Sequence, residues 1–514
     1  MDVMQATSDD PRRSNRHPMR TAASTCDFSG SAGARRARLS GQSWPVWSAC
    51  ALALIAGCTA SADQVHPQPD VLAFPSGLAI TSNEKFLFVA NANSELRYDS
   101  GSIGVLDVDN IQATLDGWLG TRATGDCAQQ DGHTETLVCE APTFLKGDKN
   151  PGDAGVRIGN FATDIALQDF SPSGSIGSPG PYRLFVPTRG DPSVAWADFS
   201  DGVLSCNASG DRFALCDDAH RLSTLENDPD LAPLPEEPFG VFADARTGVA
   251  MVTHLNNGAV TLISAPAPSS GTPPDVKIVD IRGGFFALDV NNSVGATGIT
   301  GRPSTPGGPD DIIYVGSRSD RRVQTFTIGT LPIVDPAAPT AAPAPAPAYL
   351  VPGGFFFLTG AGAVIGGSTD TRGMKISDDG NRLYLVNRQP PTLQLYDTSL
   401  SPTGYPRNAG LGAIDICRAA STVAVIDNSD GERAYITCFQ DGQLYVVDPR
   451  NLSQPEDILL VGRGPYSVVG ATKGARKLLF VSNFLEDTIA VVNITPGDPT
   501  YNRVVLRIGT PRAP

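Results

Sequence analysis

Residues 370–398 carry the pattern that decides the fold, and they read DTRGMKISDDGNRLYLVNRQPPTLQLYDT. A Gly-rich apolar segment at 373–376 is followed by a polar turn at 377–381 and an apolar segment at 383–387. A further apolar segment occupies residues 392–398. Apolar runs joined by a turn rich in Gly, Asn and Asp are typical of β-hairpins. The stretch therefore predicts three consecutive antiparallel strands.

The middle strand of this pattern recurs seven times. The copies have apolar residues at alternate positions and end in a small polar residue, as in LFVAN at 87–91 and LYLVN at 383–387. They begin at Leu87, Leu184, Ala250, Ile313, Leu383, Ala434 and Leu479. An apolar strand follows each copy, at residues 102–108, 193–199, 259–265, 322–328, 392–398, 443–449 and 488–494. Candidate outer strands lie at 276–281, 355–358, 458–461 and 504–508.

Seven units of three or four strands, without notable helical periodicity, predict an all-β fold. Each small sheet can cover its two faces only by packing on its neighbours, which favours a closed ring. The fold class is therefore a seven-bladed β-propeller of three- to four-stranded antiparallel blades. The sixth residue of each following strand is polar, and we expect it to close the strand end by accepting backbone hydrogen bonds. These residues are Asp107, Asp198, Ser264, Thr327, Asp397, Asp448 and Asn493.

The motifs at residues 75–107, P-x-G-x-A, then L-F-V-A-N, then V-L-D, resemble the YVTN-type repeat of lactonase-like seven-bladed propellers. The resemblance extends over residues 71–511 and is strongest at 74–109, 370–400 and 463–495. It implies one propeller over residues 71–514, with loop insertions at 111–157, 171–180, 203–235, 266–275 and 330–349. The last insertion contains APAPAPA at 342–348, which favours polyproline II conformation. The resemblance implies a fold and supplies no catalytic residues, because no catalytic motif of the family is found here.

Residues 1–57 have the composition of an export signal. Seven arginines between positions 12 and 38 precede an uncharged run at 46–57. As a helix this run would reach about 18 Å, short of a hydrocarbon core of about 30 Å. Its end, Leu54-Ile55-Ala56-Gly57-Cys58, resembles the bacterial lipobox. The resemblance implies cleavage before Cys58 and acylation of that cysteine, for example by palmitate, whereas the alternative is an ordinary cleavage site with an incidental cysteine.

The expected location follows from this signal. Residues 58–70 would tether the propeller to a membrane of the bacterial cell envelope. Thr59 rather than Asp follows the cysteine, which favours the outer membrane in the enteric sorting pattern. The lipid makes the membrane the first expected partner.

Six cysteines remain after the leader and Cys58, and they fall into three local pairs. We expect disulfides between Cys127 and Cys139, Cys206 and Cys216, and Cys417 and Cys438. A metal site is disfavoured because no pair has the CxxC spacing and no histidine cluster lies near. The formal net charge of −15 disfavours a nucleic-acid partner. The sequence contains no P-loop and no dinucleotide-binding fingerprint, so no cofactor is predicted.

A ligand-binding face is predicted from strand register. The residue that follows each of the seven copies should lie near the central channel, and these residues are Ala92, Arg189, Leu255, Arg318, Arg388, Phe439 and Phe484. Loops that enter the innermost strands should add Arg157, Arg372, Arg418 and Arg463. Converging guanidinium groups suit a carboxylate or phosphate, and the phenylalanines suit an apolar or sugar moiety. The alternative is that these arginines form solvated ion pairs with Asp164, Asp191, Asp320, Asp370, Asp441 and Glu486.

The sequence favours a non-catalytic, lipid-anchored envelope propeller that binds a protein, a glycan or a small anionic ligand. A periplasmic lactonase-like hydrolase and a surface scaffold with contacting rim loops remain as alternatives. His254 is the histidine that ends a predicted strand, and a core or rim role is expected for it rather than an acid–base role. No catalytic residue is predicted.

Overall fold

The computed structural model describes residues 65–147, 149–171, 180–224, 233–268, 275–286, 295–305, 308, 310–330, 348–358 and 369–512. The expected signal at 1–57, Cys58, most of the expected tether and residues 342–347 of the proline-rich segment lie outside the described residues. The described residues form seven antiparallel sheets. Their innermost strands contact one another in sequence, and the last contacts the first. The predicted seven-bladed β-propeller is therefore confirmed.

The first three blades contain most of the insertions. The first blade with its insertion comprises β1 (Pro75–Ile80), β2 (Phe86–Asn91), β3 (Gly101–Asp107), helix α1 (Val108–Thr121), β4 (Ala128–Gln129), β5 (Leu137–Cys139), a 3-10 turn (Ala141–Thr143) and β6 (Val156–Ile158). The second comprises β7 (Ala166–Asp169), β8 (Tyr182–Thr188), β9 (Ser193–Ser200), β10 (Val203–Ser205), a 3-10 turn (Asp218–His220) and β11 (Arg221–Leu222). The third comprises β12 (Pro238–Asp244), β13 (Val249–His254), β14 (Val260–Ser264) and β15 (Lys277–Arg282).

The remaining four blades are meanders of four consecutive strands. The fourth comprises β16 (Ala296–Pro303), β17 (Asp310–Ser317), β18 (Arg322–Thr330) and β19 (Ala348–Phe357). The fifth comprises β20 (Thr371–Ile376), β21 (Arg382–Arg388), β22 (Pro391–Asp397) and β23 (Ala409–Asp415). The sixth comprises β24 (Ala420–Asp427), β25 (Glu432–Cys438), β26 (Gln443–Val447) and β27 (Asp457–Leu460), and the seventh β28 (Pro465–Ala471), β29 (Leu478–Asn483), β30 (Thr488–Asn493) and β31 (Arg503–Ile508).

The seven predicted copies are the second strands of the seven blades, and their alternating apolar side chains pack between neighbouring blades. Each copy ends in a buried residue that pairs with the first part of the inner strand, as Asn387 does with Thr371. The Asn387 side chain accepts the amide of Asp370 at 3.1 Å and donates to the carbonyl of Gln389 at 2.8 Å. Cys438 occupies the equivalent position in the sixth blade, where a disulfide to Cys417 takes the place of such hydrogen bonds. These terminal residues anchor the loops beside the channel.

The inner strands share a β-bulge near their start. Pairing with the second strand shifts by one residue between Pro238 and Val241, and between Thr371 and Met374, with corresponding shifts in blades one, four, six and seven. A glycine often lies at the bulge because the next blade's backbone approaches it. A Cβ on Gly298 would lie 2.2 Å from the carbonyl oxygen of Arg372. Close packing between blades therefore explains the Gly-rich pattern of the inner strands.

All three predicted disulfides are present, namely Cys127–Cys139, Cys206–Cys216 and Cys417–Cys438. The polar residues at the strand ends have the predicted structural role in the following two cases, because their side chains accept backbone hydrogen bonds. Asp397 accepts the amide of Ser399 at 2.9 Å, and Asp448 accepts that of Arg450 at 2.9 Å. Asp198 differs, because its carboxylate binds the buried Arg183.

Helix α1 corrects one prediction. Residues 111–157 are predicted as a loop insertion in an all-β fold, but this insertion contains most of helix α1. Asp107 caps the helix by accepting the amide of Asn110 at 3.0 Å, and Ile111, Leu115 and Trp118 are buried against the first and seventh blades. In the sequence, this helix is indicated by a short amphipathic pattern within an otherwise β-rich chain. None of the helices in the described residues has the length and apolar character required to cross a membrane.

The same insertion adds a second contact between the first and seventh blades. Strand β5 pairs in parallel with β31, the outer strand of the seventh blade, and β4 pairs with β5. We refer to residues 127–139, which contain β4 and β5, as the clasp. The disulfide Cys127–Cys139 joins its two ends. A segment inserted in the first blade thus extends the sheet of the last one.

Candidate binding site in the central channel

The central channel is a cavity of about 930 Å³ lined by residues of all seven inner strands and their entry loops. One level of its wall is apolar, with one residue from each blade: Leu78, Ile165, Val241, Ile299, Met374, Val423 and Val468. We call these residues the apolar ring. The residues two positions earlier line the cavity in six blades, and we call them the bulge ring: Thr163, Phe239, Thr297, Arg372, Ser421 and Tyr466.

Arg388, which was predicted from register, lines the channel beside the bulge ring. Its Nε donates to the carbonyl of Ala420 at 2.6 Å, and Nη2 donates to Oγ of Ser421 at 3.0 Å. Burial and the charge of Arg372 lower the pKa of Arg388, although a guanidinium still remains protonated. Among the described residues Arg388 forms no ion pair. Its direct hydrogen-bond partners are therefore neutral, and the carboxylate of Asp370, which pairs with Arg372, acts on its charge without an ion pair.

Arg372 is part of the bulge ring, and its charge is compensated. Its Nε lies 2.8 Å from Oδ1 of Asp370, and its guanidinium carbon lies 5.2 Å from the ring centroid of Phe239. The ion pair agrees with the alternative that the sequence left open for Asp370. The stacked, paired guanidinium is held rigidly at the channel wall.

Arg189 and Arg318 lie around the same site. Arg189 forms an ion pair with Glu237, and its charge acts on the Tyr466 phenol. Arg318 is exposed, and its charge contributes to lowering the pKa of Arg388. Four of the predicted arginines are thus brought to one end of the channel.

Asp164 introduces a carboxyl group into this cationic site. Its Oδ1 accepts the amide of Ile165 at 2.9 Å, and its Oδ2 accepts the amide of Val241 at 3.2 Å, which links two blades. Burial raises the pKa of Asp164 to about 6, although both amide hydrogen bonds oppose the shift. Asp164 forms no ion pair in the part of the chain that the structure describes. The expected solvated ion pair is therefore wrong for this residue.

Tyr466 joins the cationic residues to an aromatic cluster. The ring centroids of Phe439 and Phe484 are 6.0 Å apart, and they lie 6.2 Å and 5.9 Å from that of Tyr466. Phe74 extends the cluster at 5.3 Å from Phe484. Burial raises the pKa of Tyr466, so the phenol stays protonated and can donate a hydrogen bond. The two predicted phenylalanines therefore lie beside the predicted arginines.

Other predicted residues lie elsewhere. Arg463 lines a separate cavity of about 270 Å³ and lies 3.6 Å from Glu486. Arg157 was expected to enter an innermost strand, but it lies in β6, the outer strand of the first blade, because the insertion displaces that strand along the chain. Arg418 is exposed before β24. Ala92 and Leu255 are buried.

His254 ends β13 and has no exposed surface. Its Nε2 lies 2.8 Å from Oγ1 of Thr261. Burial lowers the pKa of His254 to about 4, so the ring is neutral near pH 7. This supports the core role expected for it. Within the described residues no group of three or more His, Cys, Asp or Glu side chains is arranged to hold a metal ion.

No protein-family model and no curated protein sequence matches this chain. Solved structures similar to it include the periplasmic gluconolactonase PpgL of Pseudomonas aeruginosa, with 14% identity and a TM-score of 0.45 over 76% of this chain and 87% of that one. The β-propeller domain of Cps50 (Swd1) from Myceliophteria thermophila has 11% identity and a TM-score of 0.44 over 82% and 96% of the two chains. Hydrazine synthase of Kuenenia stuttgartiensis has 13% identity and a TM-score of 0.40 over 73% and 83%. The likeness concerns the propeller fold alone.

Proposed function

We propose that this chain is a lipid-anchored envelope β-propeller that binds a small anionic ligand in its central channel. The envelope location is supported by the lipobox-like sequence at Cys58 and by three disulfides, which form and persist in oxidising compartments. The ligand class is supported by the arginines at one end of the channel.

The observation that carries the proposal is the state of Arg388. A largely buried guanidinium is costly unless an anion or strong acceptors compensate it. Its present partners are the carbonyl of Ala420 and the hydroxyl of Ser421, both neutral. An incoming carboxylate or phosphate would supply a direct ion-pair partner, and the Tyr466 hydroxyl would donate a further hydrogen bond to it.

The proposal is tested by calorimetric titration with octanoate, gluconate and inorganic phosphate. Replacement of Arg388 by Gln should weaken binding of the anion that binds best by about 30-fold or more, since removal of one partner of a buried charge pair costs at least about 2 kcal/mol. Arg418→Gln is the matched control, because Arg418 is an exposed arginine outside the channel. Equal weakening by both variants, or no binding of any of the three anions, would contradict the proposal.

A hydrolase is the second candidate, and Asp164 favours it. A carboxyl whose pKa is about 6 can exchange a proton near neutral pH, as a general acid or base must. It shares the channel with Arg372 and Arg388, which could stabilise a developing oxyanion. Under this alternative the wild-type protein accelerates opening of δ-gluconolactone or hexanolactone in a pH-stat assay, and Asp164→Asn abolishes the acceleration. Hydrolysis at the rate of buffer alone would exclude it for these lactones.

A further inference from the structure

We propose that the channel ligand is an anion with an unbranched apolar chain, of the medium-chain carboxylate class, rather than a polyhydroxylated anion such as a sugar acid. This inference rests on the proposed function and deepens it. The arginines and Tyr466 would bind the carboxylate, and the chain would lie along the apolar ring.

The side chains of the apolar ring pack in the clusters between blades, and each also lines the channel. Six of its members keep between 4% and 8% of their surface exposed, and Ile299 is half-buried, whereas many side chains between the blades have none exposed. This small exposure is what an internal cavity wall shows. An alkyl chain placed against it would remove apolar surface of both partners from water.

Three of the hydroxyl groups near the ring are already used as donors between blades. Thr163 Oγ1 donates to the carbonyl of Phe239 at 2.6 Å, and Thr422 Oγ1 donates to the carbonyl of Tyr466 at 2.9 Å. Thr297 Oγ1 donates to the carbonyl of Thr371. A hydroxyl has one proton to donate, so none of these three is left for a ligand.

The amides of the bulges are used in the same way. Gly240 donates to Oγ1 of Thr253 at 2.9 Å, Thr422 to Oγ1 of Thr437 at 3.0 Å and Ser467 to Oγ of Ser482 at 2.9 Å. A sugar acid entering this level would lose water from its hydroxyl groups without gaining equivalent donors. An alkyl chain has no such requirement.

The two parts of the proposed ligand match two levels of the channel. Arg388 and Tyr466 lie at the bulge ring, and no partner of the Tyr466 hydroxyl is found among the described residues. From Arg372 to Ile376 the inner strand extends about 13 Å at ~3.3 Å per residue. Beyond that level the wall becomes polar again at Ser377 and Asp378. A carboxylate with a short chain therefore fits the order of polar and apolar wall.

The test is a calorimetric series of butyrate, hexanoate and octanoate, all kept below micelle-forming concentrations, with gluconate as the polyhydroxylated carboxylate. Affinity should rise with chain length, by up to about four-fold for each fully buried methylene, and octanoate should exceed gluconate. Val423→Thr replaces a wall methyl by a hydroxyl and should reduce the dependence on chain length. Val425→Thr is the control, since Val425 lies on the same strand, packs in the core and is not among the described channel-lining residues.

The outcome of these titrations distinguishes failure of the alkyl-chain inference from failure of the proposed function. Gluconate binding as tightly as octanoate, with no dependence on chain length, would overturn the alkyl-chain inference, and loss of that binding in Arg388→Gln would leave the proposed function standing. Absence of binding by all four carboxylates and by phosphate would overturn both. If Val423→Thr fails to fold, the chain-length series on the wild-type protein still decides whether the ligand's alkyl chain contributes to binding.

Discussion

Asp164 shows how a single residue can set the charge of a site. It lies in a channel that also contains Arg372 and Arg388, and burial raises its pKa to about 6. Below that pH the carboxyl is neutral and the site is more positive, whereas above it a negative charge opposes an incoming anion. A sequence cannot reveal this, because Asp164 looks like any acidic loop residue until the blades surround it.

We expect octanoate to bind more tightly at pH 5.5 than at pH 7.5. The difference should be about ten-fold, the order expected when one charge roughly 12 Å away is removed at an effective dielectric constant of ~20. Asp164→Asn should bind more tightly than the wild type at pH 7.5 and show a smaller pH dependence; the remainder is expected from Asp310, which lines the same channel and whose pKa burial raises to about 7. Titration calorimetry at the two pH values measures this, and a wild-type affinity that does not change with pH would refute it.

At the scale of the structural element, the second strands were predictable and the inner-strand bulges were not. Residues 383–387 alternate in a regular way because both faces of β21 pack against neighbouring blades. A bulge breaks that alternation, so the channel positions of Phe239 and Tyr466 gave no recognisable pattern. The glycines beside the bulges were a signal, since Gly240, like Gly298, marks a close approach of backbones.

Gly298→Ala should destabilise the propeller by several kcal/mol, because the added Cβ would lie 2.2 Å from the backbone oxygen of Arg372 in the next blade. Gly354→Ala, in the exposed strand β19, is the matched control, since a Cβ there meets no atom within 4 Å. Urea unfolding should give a much lower midpoint for the first variant and an unchanged one for the second. Equal midpoints would show that the blades move apart at little cost.

At the scale of the whole molecule, the contact between the first and seventh blades is made by an insertion as well as by the innermost strands. The clasp adds β5 to the outer edge of the seventh blade, and helix α1 packs across the first and seventh blades. The Gln112 side chain donates to the carbonyl of Arg476 at 3.0 Å, and Asp116 lies 3.3 Å from the Arg476 guanidinium. The repeat count predicted a ring, but the pairing of an insertion with a strand far along the chain left no trace in local sequence.

Removal of the Cys127–Cys139 disulfide by the double change to Ser should loosen this closure, at a cost of roughly 2–4 kcal/mol. Amide hydrogen exchange should accelerate in β31 and in the clasp, because these strands share hydrogen bonds. The Cys206/Cys216 double change to Ser is the control and should accelerate exchange in the second blade instead. Unchanged protection of β31 in the first variant would mean that the clasp holds without its disulfide.

The position of the clasp partner also imposes an order on folding. Most strand pairs join neighbours in the chain, so each blade can form soon after its residues are synthesised. Leu137, in contrast, must wait for Leu506, its partner more than 350 residues later. Until then β5 pairs with β4 along one edge only, and its other edge has no strand beside it. A strand edge without a partner can pair with another chain and cause aggregation. The last blade is therefore the one whose synthesis completes the molecule, and a chain interrupted before residue 503 would leave β5 without its partner strand.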